Sequence, residues 1–178
     1  MPRSQAPLRL VEGGEASPLL EDVYRRYCRY VGAVVLRLGG RRGEVDDLVQ
    51  EVFVEAARGI RQLREPQAVK GWLATIAVRL VRRRLQVRRV WRALGVDAEV
   101  DYAGLVDPAA SPHDKLLVRS VYRVLDELTV ADRLAFTLHI IEGERLEEVA
   151  RLCRCSRATA KRRIARVQQV LEERMGDG

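Results

Sequence analysis

The chain has 178 residues, enough for one ordinary domain or two small ones, and carries a formal net charge of +7. An apolar share of 47% excludes a fully disordered chain, 32% charged residues points to a soluble one, and no stretch approaches the roughly 20 apolar residues of a spanning helix. The cationic excess favours a polyanionic partner, and its arrangement has to say which.

Residues 1–17 read as a flexible tail, with Pro, Ser, Gly and Glu and no apolar run long enough for a signal peptide. From Leu19 the pattern turns helical, with Val23, Tyr27, Tyr30, Val31, Val34 and Leu38 at three- and four-residue steps. Gly39-Gly40 stops this helix and Gly43 closes the turn. A second helix carries the stripe Val45, Leu48, Val49, Val52, Phe53 and Ala56, and Gly59 weakens its end. Its opposite face gathers Asp46, Asp47, Gln50, Glu51 and Glu55. That acidic face repels DNA. It suits either solvent or a protein partner with basic side chains.

Pro66 fits the first turn of a third helix, whose buried face is Val69, Trp72, Leu73, Ile76, Ala77 and Leu80. That helix then turns basic. Between Arg79 and Arg92 lie seven arginines (79, 82, 83, 84, 88, 89 and 92) and no acid, interleaved with Leu85, Val87, Val90 and Trp91. Phosphate contacts need such cations, and Trp91 either stacks on an unpaired base or belongs to the core. From Gly95 to Asp114 the charge inverts: five acids, two prolines and no Lys or Arg, without periodicity. This is the expected linker, a mobile tether between two helical units.

The second unit opens with Leu117, Val121, Val124, Leu125 and Leu128 on one face. Thr129, with Asp132 three residues on, resembles a capping signal. Another helix holds Leu134, Leu138 and Ile141 and ends at Gly143. Two short helices follow, 146–153 and 156–171, around a tight turn. The first turns Leu146, Val149, Ala150 and Leu152 inward; in the second, Ser156 is a good N-cap and Ala160, Ile164, Val167 and Leu171 form the buried stripe. Opposite lie Arg157, Ala158, Lys161, Arg162, Ala165 and Arg166. Cations beside small residues are what a helix needs to enter a major groove, so this pair reads as a helix-turn-helix. No strand-like alternation or repeat occurs, and the expected fold class is all-α.

Chemistry-bearing constellations are scarce. His113 and His139 sit near no nucleophile pattern, and no phosphate-binding glycine loop is present. Cys28, Cys153 and Cys155 form no disulfide framework, and Cys153 and Cys155 with His139 lack a fourth metal ligand. No enzyme, cofactor or metal is expected, and the thiols fit a reducing, cytoplasmic setting.

Three segments in this order resemble the extracytoplasmic-function group of bacterial sigma factors, over roughly residues 19–175. The first and most specific is Asp47-Leu-Val-Gln-Glu-Val-Phe53, the second Trp72-Leu73 with Ile76-Ala77 entering the basic helix, the third Leu146-Glu-Glu-Val-Ala150 followed by Thr159, Lys161, Arg163 and Arg166. The resemblance implies that Asp47, Gln50 and Glu51, with Asp46 on the same face, meet the β′ clamp of core RNA polymerase. It implies a region-2-like domain over 18–94 whose arginines (Arg79, Arg82, Arg83, Arg84, Arg88, Arg89) meet the minus-ten element of promoter DNA. After the linker, 95–114, it implies a region-4-like domain over 115–175, with Arg157, Thr159, Lys161, Arg162, Arg163 and Arg166 at the minus-thirty-five element. A contact with the β flap and control by an anti-sigma protein follow from the same resemblance, without membrane insertion. Three positions depart from the family pattern: Arg79 and Arg83, where Asn or Asp is common, and Arg154, where the turn often carries Gly. Two rivals are a stand-alone helix-turn-helix regulator and a basic protein that binds nucleic acid without sequence choice.

Overall fold

The computed structural model describes residues 18–39, 41–60, 68–96, 102, 105, 106 and 108–176. The N-terminal tail, Gly40, Pro66 and the linker acids Asp97, Glu99, Asp101 and Asp107 lie outside the described residues. Every regular element among the described residues is helical: α1 (Pro18–Gly39), a 3₁₀ turn (Arg42–Glu44), α2 (Val45–Gly59), α3 (Val69–Ala93), α4 (Pro112–Glu127), α5 (Val130–Phe136), a wider π turn (Thr137–Ile141), α6 (Leu146–Cys153) and α7 (Arg157–Met175).

Helices α1, α2 and α3 pack mutually, because each carries an apolar stripe that water excludes. Val31, Val35 and Leu38 of α1, Leu48 and Val52 of α2, and Leu73, Val78 and Val81 of α3 are all sealed from solvent. Each such side chain contributes about 1.5–3 kcal/mol by leaving water. Gly59 ends α2 where a Cβ would lie 2.9 Å from the Trp72 ring, so only glycine lets α3 approach this closely.

The second half forms around α5 and α7. Ser111, Thr129 and Ser156 cap α4, α5 and α7, their hydroxyls accepting from the backbone N–H of Asp114, Asp132 and Thr159 at 3.1 Å each. The expected helix up to Gly143 is interrupted: α5 widens into the π turn, where Glu142 N–H reaches the Thr137 carbonyl, and Gly143 then reverses the chain at φ 71°. Leu117, expected on the buried face of α4, is exposed. Tyr122, between the predicted stripe positions, is buried instead. The tight turn between α6 and α7 places Arg154 in the left-handed region at φ 51°, ψ 52°.

The two halves share the larger of two hydrophobic cores among the described residues, the smaller being Tyr102, Tyr122, Leu125, Phe136 and Val167 of the second half. The larger cluster runs from Leu73, Val81 and Leu85 through Leu134 and Leu138 to Val149, Leu152 and Ile164. Polar links cross the same boundary. Arg37 grips Glu142 through both Nε and Nη2, the latter at 2.8 Å; Arg82 donates to the Leu152 carbonyl at 3.2 Å, and Arg151 to Thr75 at 3.2 Å.

The last turn of α1 gathers partners from three other helices. Its carbonyls at Arg37, Leu38 and Gly39 accept from Tyr122 Oη (2.8 Å), Arg133 Nε (3.1 Å) and Arg88 Nη1 (3.0 Å) respectively. Burial pushes the Tyr122 phenol up to about 12, so its hydroxyl keeps the proton it donates. Arg133, 2% exposed, also pairs with Asp126 and lies over the Tyr122 ring.

The segment expected as a linker is docked where it is described. Tyr102 is buried against Tyr122 and donates to Asp126, and Lys115 holds the Pro108 carbonyl at 2.8 Å. Residues 112–114, read as its end, already belong to α4.

Two outcomes follow for stability. Arg154→Gly relieves a left-handed residue and should raise stability by about 0.5–1 kcal/mol, after the entropy that glycine adds to the unfolded chain. A urea midpoint that rises at unchanged slope checks it, and a fall would show that the Arg154 side chain stabilises the turn. Arg88→Ala strips the Gly39 carbonyl and Glu44 of a partner and should cost about 1–3 kcal/mol. Arg89→Ala, on the exposed face, should stay within about 0.5 kcal/mol. Equal midpoints for the two variants would remove the structural role given to Arg88.

Candidate nucleic-acid and polymerase interface

Helix α2 has two chemically distinct faces because its apolar residues recur with the helical period. Leu48, Val52 and Phe53 are buried, which turns Asp46, Asp47, Gln50 and Glu51 to solvent together. Neither Asp47 nor Gln50 has a hydrogen bond or ion pair among the described residues. Glu51 meets Arg84 of α3 at 3.1 Å, and the half-buried Glu55 pairs with Arg79. An open groove of about 480 Å³ separates α2 from α3 here, lined by Asp47, Gln50, Glu51, Arg83 and Arg84. The acidic face and the arginine cluster are therefore neighbours, Glu51 and Arg84 meeting across 33 residues of sequence.

The arginine cluster of α3 divides by where each side chain points. Arg83 and Arg89 are exposed and carry no bond among the described residues. Arg79 and Arg84 are exposed or half-buried, each in an ion pair with an α2 carboxylate. Arg82 is half-buried and turned to α6. Arg88 corrects the sequence reading: it is 5% exposed, bonded to the Gly39 carbonyl and paired with Glu44 at 2.6 Å. Burial lowers its pKa first, with Glu44 opposing that. It serves the fold rather than a phosphate. Trp91 is 51% exposed, in a row with Val87, Val90 and Leu94, so it is not a core residue.

Helix α7 buries Ala160, Ile164 and Val167, and α6 packs against it with Val149, Ala150 and Leu152. Arg157, Ala158, Lys161, Arg162, Ala165 and Arg166 are consequently exposed on the far side. Thr159 is half-buried and its hydroxyl lies 2.9 Å from Ser156 Oγ, so it belongs to the cap as much as to the face. Arg163 is half-buried. Arg157 pairs with Glu147 of α6 at 2.9 Å, both well exposed, and Arg166 with Asp132 of α5 at 3.1 Å. The positive end of the α7 dipole adds to this cationic surface.

Several residues that organise these surfaces were not visible as such in the sequence: Tyr102, Tyr122, Asp126, Arg133 and Glu142. The only available signal was Asp132 in a capping pattern, which says nothing of its pairing with Arg166. Among the described residues, no cluster of three or more His, Cys, Asp or Glu side chains could hold a metal ion, and no helix is long and apolar enough to cross a membrane.

Two family models match the chain in succession, Sigma-70 region 2 over residues 23–92 and Sigma-70 region 4 over residues 119–167. The ECF RNA polymerase sigma-E factor of Escherichia coli (strain K12) is 29% identical over 160 residues, covering 84% of this chain and 83% of that protein. Among solved structures, the sigma factor RpoE in complex with the anti-sigma factor NepR from Bartonella quintana aligns with a TM-score of 0.64 at 23% identity, covering 86% of this chain and 94% of that one. CnrH in complex with the cytosolic domain of CnrY aligns at 0.59 and 19% identity, covering 89% and 88%. With region 2 and region 4 in order on one all-helical chain, and a relative matched over most of both lengths, the chain belongs to the extracytoplasmic-function group of RNA polymerase sigma factors.

Proposed function

We propose that this sigma factor docks on core RNA polymerase through the exposed acidic face of α2 and carries α3 and α7 to two separated promoter elements. The activity is recruitment: the chain directs polymerase to promoters in transcription initiation and catalyses nothing itself. One observation carries the residue assignment. Asp46, Asp47, Gln50 and Glu51 all reach solvent on one face of a helix whose other face is sealed in the core. An otherwise basic protein has no use for that face against DNA, and a basic clamp on the β′ subunit fits it.

Residues 18–94 and 115–175 serve as the region-2 and region-4 units, and the segment between them sets their reach. Arg79, Arg82, Arg83, Arg84 and Arg89 supply the cations at the minus-ten element, with Arg83 and Arg89 free to meet phosphate at once. Lys161, Arg162 and Arg166 lead at the minus-thirty-five element, where an arginine holding both acceptors of a guanine supplies about 1–3 kcal/mol of discrimination. The second half also meets the β flap. The two similar solved structures are complexes with other proteins, the anti-sigma factor NepR and the cytosolic domain of CnrY, and an anti-sigma protein is the natural regulator here. Three free cysteines support a reducing, cytoplasmic location.

The test is reconstitution with bacterial core polymerase and a promoter library, where promoter-dependent transcripts are expected. Asp47→Lys with Gln50→Ala, at positions without bonds to the rest of the fold, should weaken polymerase binding by about 2–4 kcal/mol at unchanged melting temperature. Equal affinity of variant and parent, titrated at one salt concentration, would move the polymerase surface elsewhere.

A further inference from the structure

The cations of the α7 face are not equivalent. Lys161 extends into solvent, Arg162 reaches only the Thr159 hydroxyl at 3.4 Å, and Arg157 meets a well-exposed glutamate. Arg166 alone among them is tied to a buried carboxylate: its Nη1 donates at 3.1 Å to Oδ2 of Asp132, whose side chain is 3% exposed. Asp132 is itself immobilised. It stands in the first turn of α5, its backbone N–H held by the Thr129 hydroxyl, and α5 packs directly on α7.

We propose that Asp132 is a positioning residue for sequence reading, which holds the Arg166 guanidinium in one orientation at the DNA surface. The proposal rests on Arg166 as a base-reading residue of the minus-thirty-five element. A carboxylate out of water needs a cation, so the pair persists in the free protein. The Arg166 side chain remains 62% exposed, and its other N–H groups carry no bond among the described residues. One nitrogen is thus anchored while the remaining donors of the planar fork stay available. Ordering a long side chain before the ligand arrives removes that entropy from the binding step, which favours directional contacts.

The carboxylate also selects the kind of contact. A phosphate attracts net charge, and Asp132 offsets the charge of Arg166. A guanine edge needs two aligned donors, which the pairing leaves intact. Asp132 therefore biases Arg166 away from the backbone and towards a base.

The experiment compares Asp132→Asn, Arg166→Ala and the double variant with the parent, each in holoenzyme, by promoter-library selection and by binding across a salt series. Asn keeps the capping backbone and the shape and removes the charge. Asp132→Asn should reduce preference at the upstream bases read by Arg166 by about three- to tenfold. Its salt slope should also steepen by about one unit, as the released Arg166 engages phosphate. The double variant should resemble Arg166→Ala alone. If Asp132→Asn unfolds, Asp132→Glu, which keeps the charge on a longer arm, should still lower the preference but leave the slope unchanged. If Arg166→Ala relaxes the upstream bases while the folded Asp132 variant keeps the parent's preference and slope, Asp132 does not position Arg166. If Arg166→Ala itself leaves base preference unchanged, the reading of Arg166 fails, and the proposal with it.

Discussion

The end of α1 is where the two halves of the molecule are held in register. A helix leaves its last carbonyls without partners inside the helix, and a negative dipole end gathers there. In this chain three consecutive carbonyls, at Arg37, Leu38 and Gly39, are each satisfied by a side chain from a different helix. One donor comes from α3 of the first half. The other two, Tyr122 and Arg133, come from α4 and α5 of the second. Two of the three are guanidinium groups, so the contacts are charge-assisted as well as directional. The shared hydrophobic cluster supplies area, while these bonds specify how α4 and α5 meet α1.

This arrangement explains why a run of seven arginines does not act as one surface. A helix turns about 100° per residue, so positions 79–92 face in every direction. Arg88 falls on the side that meets α1 and becomes a buried cap, and Arg82 falls on the side that meets α6. Arg83 and Arg89 face out. Their difference is one of phase, with no difference in residue type.

That phase marks the limit of what the sequence revealed. The stripes of α1, α2 and α3, the caps at Thr129 and Ser156, and the helix-turn-helix were legible because they are local patterns with a period of 3.6. The turn between α6 and α7 was legible only in place: arginine where the family often has glycine left its backbone open, and Arg154 adopts the left-handed conformation all the same. Illegible were features that need two distant elements at once. Arg88 looked like its neighbours until α1 supplied Gly39 and the 3₁₀ turn after it supplied Glu44. Tyr102 stood in an acidic, aperiodic stretch and docks on α4 through one ring and one hydroxyl. Leu117 matched the stripe of α4, but it is left 45% exposed.

The same geometry bears on how acidic and basic surfaces coexist on a protein of net charge +7. Acid and base are segregated along the sequence, but α2 and α3 bring them into one groove, where Glu51 meets Arg84 and Glu55 meets Arg79. Exposed pairs of the first kind are worth no more than about 1 kcal/mol, so Glu51 and Arg84 shape the local field more than they hold the fold together. The carboxylates of α2 therefore mute the positive field of α3, and Arg83, exposed and outside these pairs, keeps its full charge at the edge of the groove.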